Sequence, residues 1–200
     1  MKLDWGYLFG MALQTVPEPR KVARDVQAVN LPRADLWSVF ALIMVATAFL
    51  SVLSSILFPV DPETLGPLLS NPIMTSIAQA SIAVFSVFLI YWVGRALGGT
   101  GSFDQALLTI IWLHFVLLIV ELVVLALAVF APGMAALLWL MGRVLTFWIL
   151  SHFIAEMHGF RSALSVFFGI FMVMIVLMTV LSMVFALIGL GIPDPALGVS

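Results

Sequence analysis

Five long apolar runs, separated by short connections, dominate the pattern of hydrophobic and polar positions along the chain. The runs cover residues 36–58, 73–94, 106–130, 134–153 and 164–190. About 20 apolar residues of helix cross the hydrocarbon core of a bilayer, and every run reaches that length. Barrel strands would alternate with period two, which these runs do not, and backbone in lipid must satisfy its hydrogen bonds internally. We therefore predict an all-α, polytopic integral membrane protein with a bundle of five transmembrane helices in one domain, residues 36–190.

Composition indicates the same class of protein. Hydrophobic residues make up 64% of the 200 positions and charged residues 9%, against about 45–50% and 25% in soluble domains. The chain has no cysteine, so disulfides and thiolate metal sites are excluded. The expected environment is the lipid bilayer. We expect no cofactor, no metal and no nucleic-acid partner.

The first 35 residues are predicted to form amphipathic helices at the cytoplasmic face or in the membrane interface. Apolar positions recur at helical spacing, and the Pro17-Glu18-Pro19 sequence interrupts them. A loosely ordered tail is the alternative. No cleavable signal peptide is recognisable before the first apolar run, and residues 191–200 are predicted to be a short tail on the outer side.

The distribution of basic residues predicts the orientation. Seven of the eight lie outside the apolar runs, and all seven fall on one alternating set of segments: Lys2, Arg20, Lys21, Arg24, Arg33, Arg95 and Arg161. The opposite set carries none. Under the positive-inside rule this asymmetry places the N-terminus in the cytoplasm and the C-terminus outside.

Two charged residues lie inside the predicted spans. Glu121 precedes Pro132 by eleven residues and Arg143 follows it by eleven, so both lie roughly 16 Å from that turn at the helical rise. A charge at the bilayer centre costs roughly 2.5–3.5 kcal/mol on insertion scales, so each requires a partner. We predict a structural ion pair, with a functional pathway as the alternative. A partner in another subunit or a lipid headgroup is a third reading.

Histidines extend this polar group. His114 lies on the same helical face as Glu121, seven residues before it, and His152 falls at a similar predicted depth. A buried polar layer of Glu121, Arg143, His114 and His152 would resemble the proton relays of transporters. Two ordinary histidines near the cytoplasmic interface are the alternative.

No enzyme signature is present. The zincin pattern needs two histidines on one helical face, whereas His158 lies about 240° around the helix from His152. Residues 98–102, with the sequence Gly-Gly-Thr-Gly-Ser, lack the lysine of a phosphate-binding loop. This glycine run is predicted to be a flexible cytoplasmic turn.

Two segments carry a family resemblance. Residues 94–107 lead to Trp112, and the fourth run ends in Ala-Glu-Met-His-Gly-Phe. The residues that carry this motif are Gly98, Gly99, Gly101, Ser102, Phe103, Glu156, His158 and Gly159. With Pro19-Arg20 upstream, the chain resembles the Yip family, the Ypt/Rab-GTPase-interacting membrane proteins, over nearly its whole length. The short N-terminal segment is similar to bacterial members, because eukaryotic members have long cytosolic tails.

The resemblance implies a fold, a topology and a coarse role. It implies five spans, an inside N-terminus, an outside C-terminus and a non-enzymatic protein. A small GTPase is a partner only by family analogy, and no residue is assigned to binding it. We expect a bacterial cytoplasmic (inner) membrane, or alternatively an ER/Golgi membrane.

Two functional hypotheses follow. The first is a non-catalytic protein that associates with another membrane protein, with itself or with lipids, in membrane organisation or assembly. The second is a small transporter or channel that uses the polar layer around Glu121 and Arg143.

The orientation predicts the outcome of a fusion experiment. A reporter fused after Ser200 should be active only outside the cytoplasm, and one inserted within residues 98–102 should be active only inside it, because the basic residues retain their segments in the cytoplasm. Paired phosphatase and fluorescent-protein fusions measure this. Cytoplasmic activity of the Ser200 fusion would contradict the five-span topology.

Overall fold

The computed structural model describes residues 5–58 and 70–187. These residues form seven helices: α1 (Trp5–Gln14), α2 (Pro19–Gln27), α3 (Arg33–Leu57), α4 (Pro72–Ala96), α5 (Phe103–Phe130), α6 (Pro132–His158) and α7 (Ala163–Leu187). Helices α3 to α7 are long and apolar enough to cross a membrane. The predicted all-α fold with five spans is confirmed, and the chain is a multi-pass integral membrane protein. Three predicted segments lie outside the described residues: the first outer connection at 59–69, the end of the fifth run at 188–190 and the outer tail at 191–200.

Proline and capping side chains set several helix starts. Proline occupies the first turn of α2, α4 and α6, where its missing N–H would have no helical acceptor. Asn71 caps α4 because its side-chain oxygen accepts hydrogen bonds from Ile73 N at 3.0 Å and Met74 N at 3.3 Å. Ala131 alone separates α5 from α6. These two helices therefore form a tight antiparallel hairpin.

The α5–α6 hairpin is the centre of the bundle. Helices α3 and α4 pack on α5 and on each other, α7 packs along α6, and α2 lies against α5 and α6. We call one end of the bundle the basic end: it is the end at which α2, the start of α3, the α4–α5 connection and the α6–α7 connection meet. This end carries Arg20, Lys21, Arg24, Arg33, Arg95 and Arg161.

Tight packing is concentrated towards the basic end. Every residue of α5 from Ala106 to Leu113 is buried, whereas Phe130, at the other end of the helix, is 86% exposed. Met134 at the start of α6 and Ile73 at the start of α4 are also exposed. In lipid such apolar surface is solvated by acyl chains, because helix association there has no hydrophobic driving force.

The two N-terminal helices are docked on this packed region. Val22 and Ala23 of α2 are fully buried and Val26 is nearly so, and burying each valine stabilises by roughly 1.5–3 kcal/mol. Trp112 of α5 donates its indole N–H to the buried Thr15 hydroxyl at 3.0 Å. Trp5–Gln14 and Pro19–Gln27 are thus helices that pack on the bundle, and α2 has a buried apolar side and an exposed charged side. Their depth relative to the lipid headgroups stays a prediction.

Candidate functional site at the basic end

Helix α6 ends in a left-handed glycine turn. Gly159 has φ 72°, a conformation that glycine adopts without steric cost. Gly159 N donates to Glu156 O at 3.2 Å and Phe160 N donates to Ala155 O at 2.8 Å. This is a Schellman motif, and it leaves His158 as the last helical residue.

Helix α4 also ends in a left-handed glycine turn, and residues 97–102 connect it to α5. Gly98 has φ 87°, and Gly99 N donates to Gly94 O at 2.8 Å. Ser102 and Gln105 then form a capping box at the start of α5, in which each side chain accepts a hydrogen bond from the other's backbone N–H. The connection between the two spans is therefore short and fully hydrogen-bonded at both ends.

The His158 ring is enclosed by Gly94 in the last turn of α4 and by Gly99 and Gly101 of the connection. We call His158 and these three glycines the histidine clamp. Gly101 N donates to His158 Nδ1 at 3.2 Å, and His158 Nε2 lies 3.0 Å from the carbonyl oxygen of Ile90. Nδ1 thus accepts and Nε2 donates, which is the neutral Nε2–H tautomer. The His158 carbonyl also accepts from Thr100 N at 3.3 Å.

The clamp has no room for a side chain on its glycines. A Cβ on Gly94 or Gly99 would overlap the imidazole ring, and one on Gly101 would lie 2.6 Å from Met157 Cε and 2.9 Å from His158 Cε1. The glycines are needed because the ring approaches the backbone so closely. Gly99 and Gly101 of this run line the His158 ring, and the flexible cytoplasmic turn stays a prediction.

Helix α2 fastens the other side of the α6 terminus. The Arg20 guanidinium donates to the carbonyl oxygens of Phe160 at 3.2 Å and Arg161 at 3.0 Å. Arg24 forms an ion pair with Glu156 at 3.1 Å. A hydrogen bond from Lys21 at 2.9 Å lowers the pKa of Glu18, which keeps that carboxylate ionised at the start of α2. Sequence reasoning gave Arg20 and Arg24 no bonding partner, because their acceptors lie more than 130 residues away.

The start of α5 is fastened to α3 and α4. Arg33 lies 2.7 Å from the Asp104 carboxylate, and its guanidinium covers the Phe103 ring at 5.5 Å. Phe103 also contacts the aromatic rings of Trp37, Phe88 and Tyr91. The eight motif residues from two distant segments therefore meet in one region, with Phe103 and Glu156 at its two flanks.

The hydrogen bonds of this region hold the His158 ring in place. His158 is 2% exposed, and both of its ring nitrogens are engaged within the protein. Across residues 5–58 and 70–187 no group of three metal-ligating side chains could hold an ion. The arrangement locks α2, α4, α5 and α6 to one another.

Glu121 and Arg143 lie together in the α5–α6 hairpin, as the sequence spacing predicts. Both line a small crevice of about 20 Å³, beside Trp139. Arg143 places its guanidinium 4.8 Å from the centre of the Trp139 ring. In the described part of the chain, all ion pairs with a nitrogen–oxygen distance of 4.0 Å or less are formed by residues other than Glu121 and Arg143. The two charges are neighbours without a direct bridge, so the structural ion pair stays a prediction.

The two histidines do not join this pair. His152 Nδ1 lies 2.8 Å from the carbonyl oxygen of Trp148, and the centres of the two side-chain rings are 4.2 Å apart with their planes tilted by 49°. His114 is partly buried on α5, about 10 Å along the helix from Glu121. Among the described residues, neither histidine forms a hydrogen bond or an ion pair with Glu121 or Arg143. The polar layer therefore stays a hypothesis.

The clamp predicts a large cost for the smallest possible side chain. Gly94→Ala should lower the free energy of unfolding by about 1–3 kcal/mol, because the new methyl group overlaps His158. Thermal unfolding in mild detergent measures this. Gly169→Ala in α7 is the matched control, since a Cβ there meets nothing within 4 Å, and it should be neutral or stabilising.

A second substitution tests whether the overlap with His158 causes the loss of stability in Gly94→Ala. Adding His158→Ala to Gly94→Ala removes the ring that the methyl group overlaps, so the double variant should lose less stability than the two single changes together. Strict additivity of the two losses would show that the Gly94 effect does not act through His158.

Comparison with known families assigns the chain. The family model described as the Yip1 domain matches residues 13–184, which include all five spans up to the last turn of α7 and the whole basic end. No curated protein matches the chain, and neither does any solved structure. The match covers far more than half of the sequence, so the chain belongs to the Yip1 domain family.

Proposed function

We propose that this protein acts without catalysis, by association within the membrane with another membrane protein, with a second copy of itself or with lipids. The observation that carries the proposal is the use of its polar side chains. At the basic end His158, Arg20, Arg24 and Glu156 all bond within the protein. A chain that commits these groups to internal packing presents a shaped surface rather than a reactive centre.

The transporter alternative finds little support in the interior. A solute path needs a continuous polar cavity, and the crevice beside Glu121 and Arg143 has a volume of about 20 Å³. That is room for about one water molecule. The larger groove between α4, α6 and α7 is lined mainly by apolar side chains. Neither space supports passage of an ion or a polar solute.

The outward face of α2 is the surface that we assign to a protein partner. Val22, Ala23 and Val26 face the bundle and are buried, whereas Lys21 and Asp25 are exposed on the opposite side. The anchors Arg20 and Arg24 hold this helix firmly, so the exposed charges are presented on a rigid support. A small GTPase stays a partner by family analogy only.

The orientation of the chain in the membrane is part of the same proposal. The basic end faces the cytoplasm because it carries all the basic residues outside the spans apart from Lys2. The membrane is the bacterial cytoplasmic membrane, with an ER/Golgi membrane as the alternative. A partner of α2 is therefore a cytoplasmic protein or the cytoplasmic part of a membrane protein.

Chemical labelling separates association from transport. If the protein only associates, Glu121 should resist a carbodiimide in intact membranes, while the exposed Asp25 should be modified, as peptide mass spectrometry would record. A transporter needs an ionisable group that water can reach at mid-membrane. Rapid, saturable modification of Glu121 that a small solute blocks would favour the transporter instead.

Site-specific cross-linking tests the association itself. A photo-reactive amino acid at Asp25 should give discrete protein adducts in native membranes, because α2 presents this position outwards. The matched control is the same amino acid at Ile175, an exposed residue of α7, which should give lipid adducts. An adduct of twice the 21.8 kDa chain mass would identify a second copy. No protein adduct from Asp25 would contradict the assignment of α2.

A further inference from the structure

A deep groove separates α4 from α7. Helix α7 packs along α6 and stands apart from α4, and the space between them has a volume of about 630 Å³. Its walls are Leu89 and Val93 of α4, Leu150 and Ile154 of α6, and Ile170 and Val173 of α7. On α4 the lining runs from Ile82 to Leu97, about 22 Å at the helical rise.

At the basic end the groove has polar lining residues beside the apolar Leu97 and Phe160. Arg161, Ser162 and Ser165 line it there. Arg161 is exposed and enters none of the ion pairs of the described residues. Its backbone is fixed, because Arg20 donates to the Arg161 carbonyl at 3.0 Å. The groove therefore combines an apolar slot at membrane depth with one exposed arginine side chain at the basic end.

We propose that this groove binds one anionic glycerophospholipid of the leaflet at the basic end, with its phosphate at Arg161 and one acyl chain along the slot. Arginine is the side chain best suited to a phosphate, through paired charge-assisted hydrogen bonds. Basic pockets between membrane helices on the cytoplasmic side bind anionic headgroups in this way. The slot is longer than one leaflet, about 15 Å of hydrocarbon, so an acyl chain fits along it.

The lining of the groove favours an acyl chain as its occupant. The walls are mainly apolar along about 22 Å of α4, and lipid tails are as apolar as these side chains. An acyl chain enters such a groove laterally from the surrounding bilayer. Water is an unsuitable filling, because apolar cavities stay dry.

The proposed function includes association with lipids, and this proposal names the lipid. It does not depend on the partner surface of α2. Failure of the Asp25 cross-link would leave the lipid site intact, and failure of lipid binding would leave the cross-link intact. The two ideas are therefore tested separately.

Native mass spectrometry of the purified chain in mild detergent tests the site. Phosphatidylglycerol and phosphatidylcholine with identical acyl chains are titrated in parallel, and retained lipids are counted per protein. We expect one tightly held phosphatidylglycerol. Arg161→Gln should weaken it at least about tenfold, since a charge-assisted contact is lost. Phosphatidylcholine, whose net charge is zero, should bind more weakly and respond less to this change.

Matched variants locate the lipid. Gly169→Phe places a ring in the slot, where nothing lies within 4 Å of an added Cβ, and should abolish retention of both lipids. Ile175→Phe, on α7 outside the groove, should not alter it. Lys21→Gln removes a basic-end charge away from the groove and should also leave binding unchanged. Thermal unfolding of all variants identifies any that fail to fold, and Arg161→Gln tests the site independently of Gly169→Phe.

Three results would overturn the proposal. Equal affinity for the two lipids, unchanged in Arg161→Gln, would remove the phosphate contact. Undiminished retention in a folded Gly169→Phe variant would place the lipid elsewhere. A two-copy species that Gly169→Phe dissociates, without lipid, would make the groove a contact between chains. Glycerol phosphate added alone should not displace the lipid, and displacement would show that the acyl chain contributes nothing.

Discussion

The close approach of the His158 ring to three backbone segments is the constraint on which the basic end depends. The ring fills space that any side chain at Gly94 or Gly99 would occupy, and its two nitrogens satisfy Gly101 N–H and the Ile90 carbonyl. An apolar ring of the same size would leave the Gly101 N–H unpaired, at about 1–3 kcal/mol, and would remove the additional hydrogen bond to the Ile90 carbonyl. The residue must therefore be small, planar and able to donate and accept at once.

This constraint spreads to the neighbouring helices. By fixing α6 against the α4–α5 connection, the clamp sets the position of the α6 terminus, and the carbonyls of Phe160 and Arg161 then become acceptors for Arg20. The same connection sets the start of α5, where Asp104 meets Arg33 of α3. Individually exposed ion pairs contribute little. Here the ion pairs fix the positions of helix ends. Buried residues such as Val22 and Leu107 supply the stabilisation.

The limits of sequence reasoning follow from the distance over which each signal acts. The spans could be predicted because membrane insertion depends on local hydropathy, which places the starts of the second and fourth runs at residues 73 and 134, within two residues of the helix starts at Pro72 and Pro132. The neighbourhood of Glu121 and Arg143 could be predicted because a single tight turn relates the two helices. The clamp could not, since Gly101 and His158 are 57 residues apart and a single sequence does not state which loop meets which helix end. Nor does spacing give rotamers, so it could not show that Arg143 lies over Trp139 rather than against Glu121.

The same physics explains why α7 stands apart from α4. In its apolar window no residue is buried, and aromatic contacts of Phe167 and Phe171 with Phe147 of α6 hold it on one side. In lipid the apolar faces of α4 and α7 gain nothing by leaving the acyl chains, because lipid tails are as apolar as the side chains themselves. A gap between two such helices is therefore not a defect that packing would close. The basic end fixes where α7 starts, α6 fixes its direction, and the lipid that fills the remaining space becomes part of the packed structure.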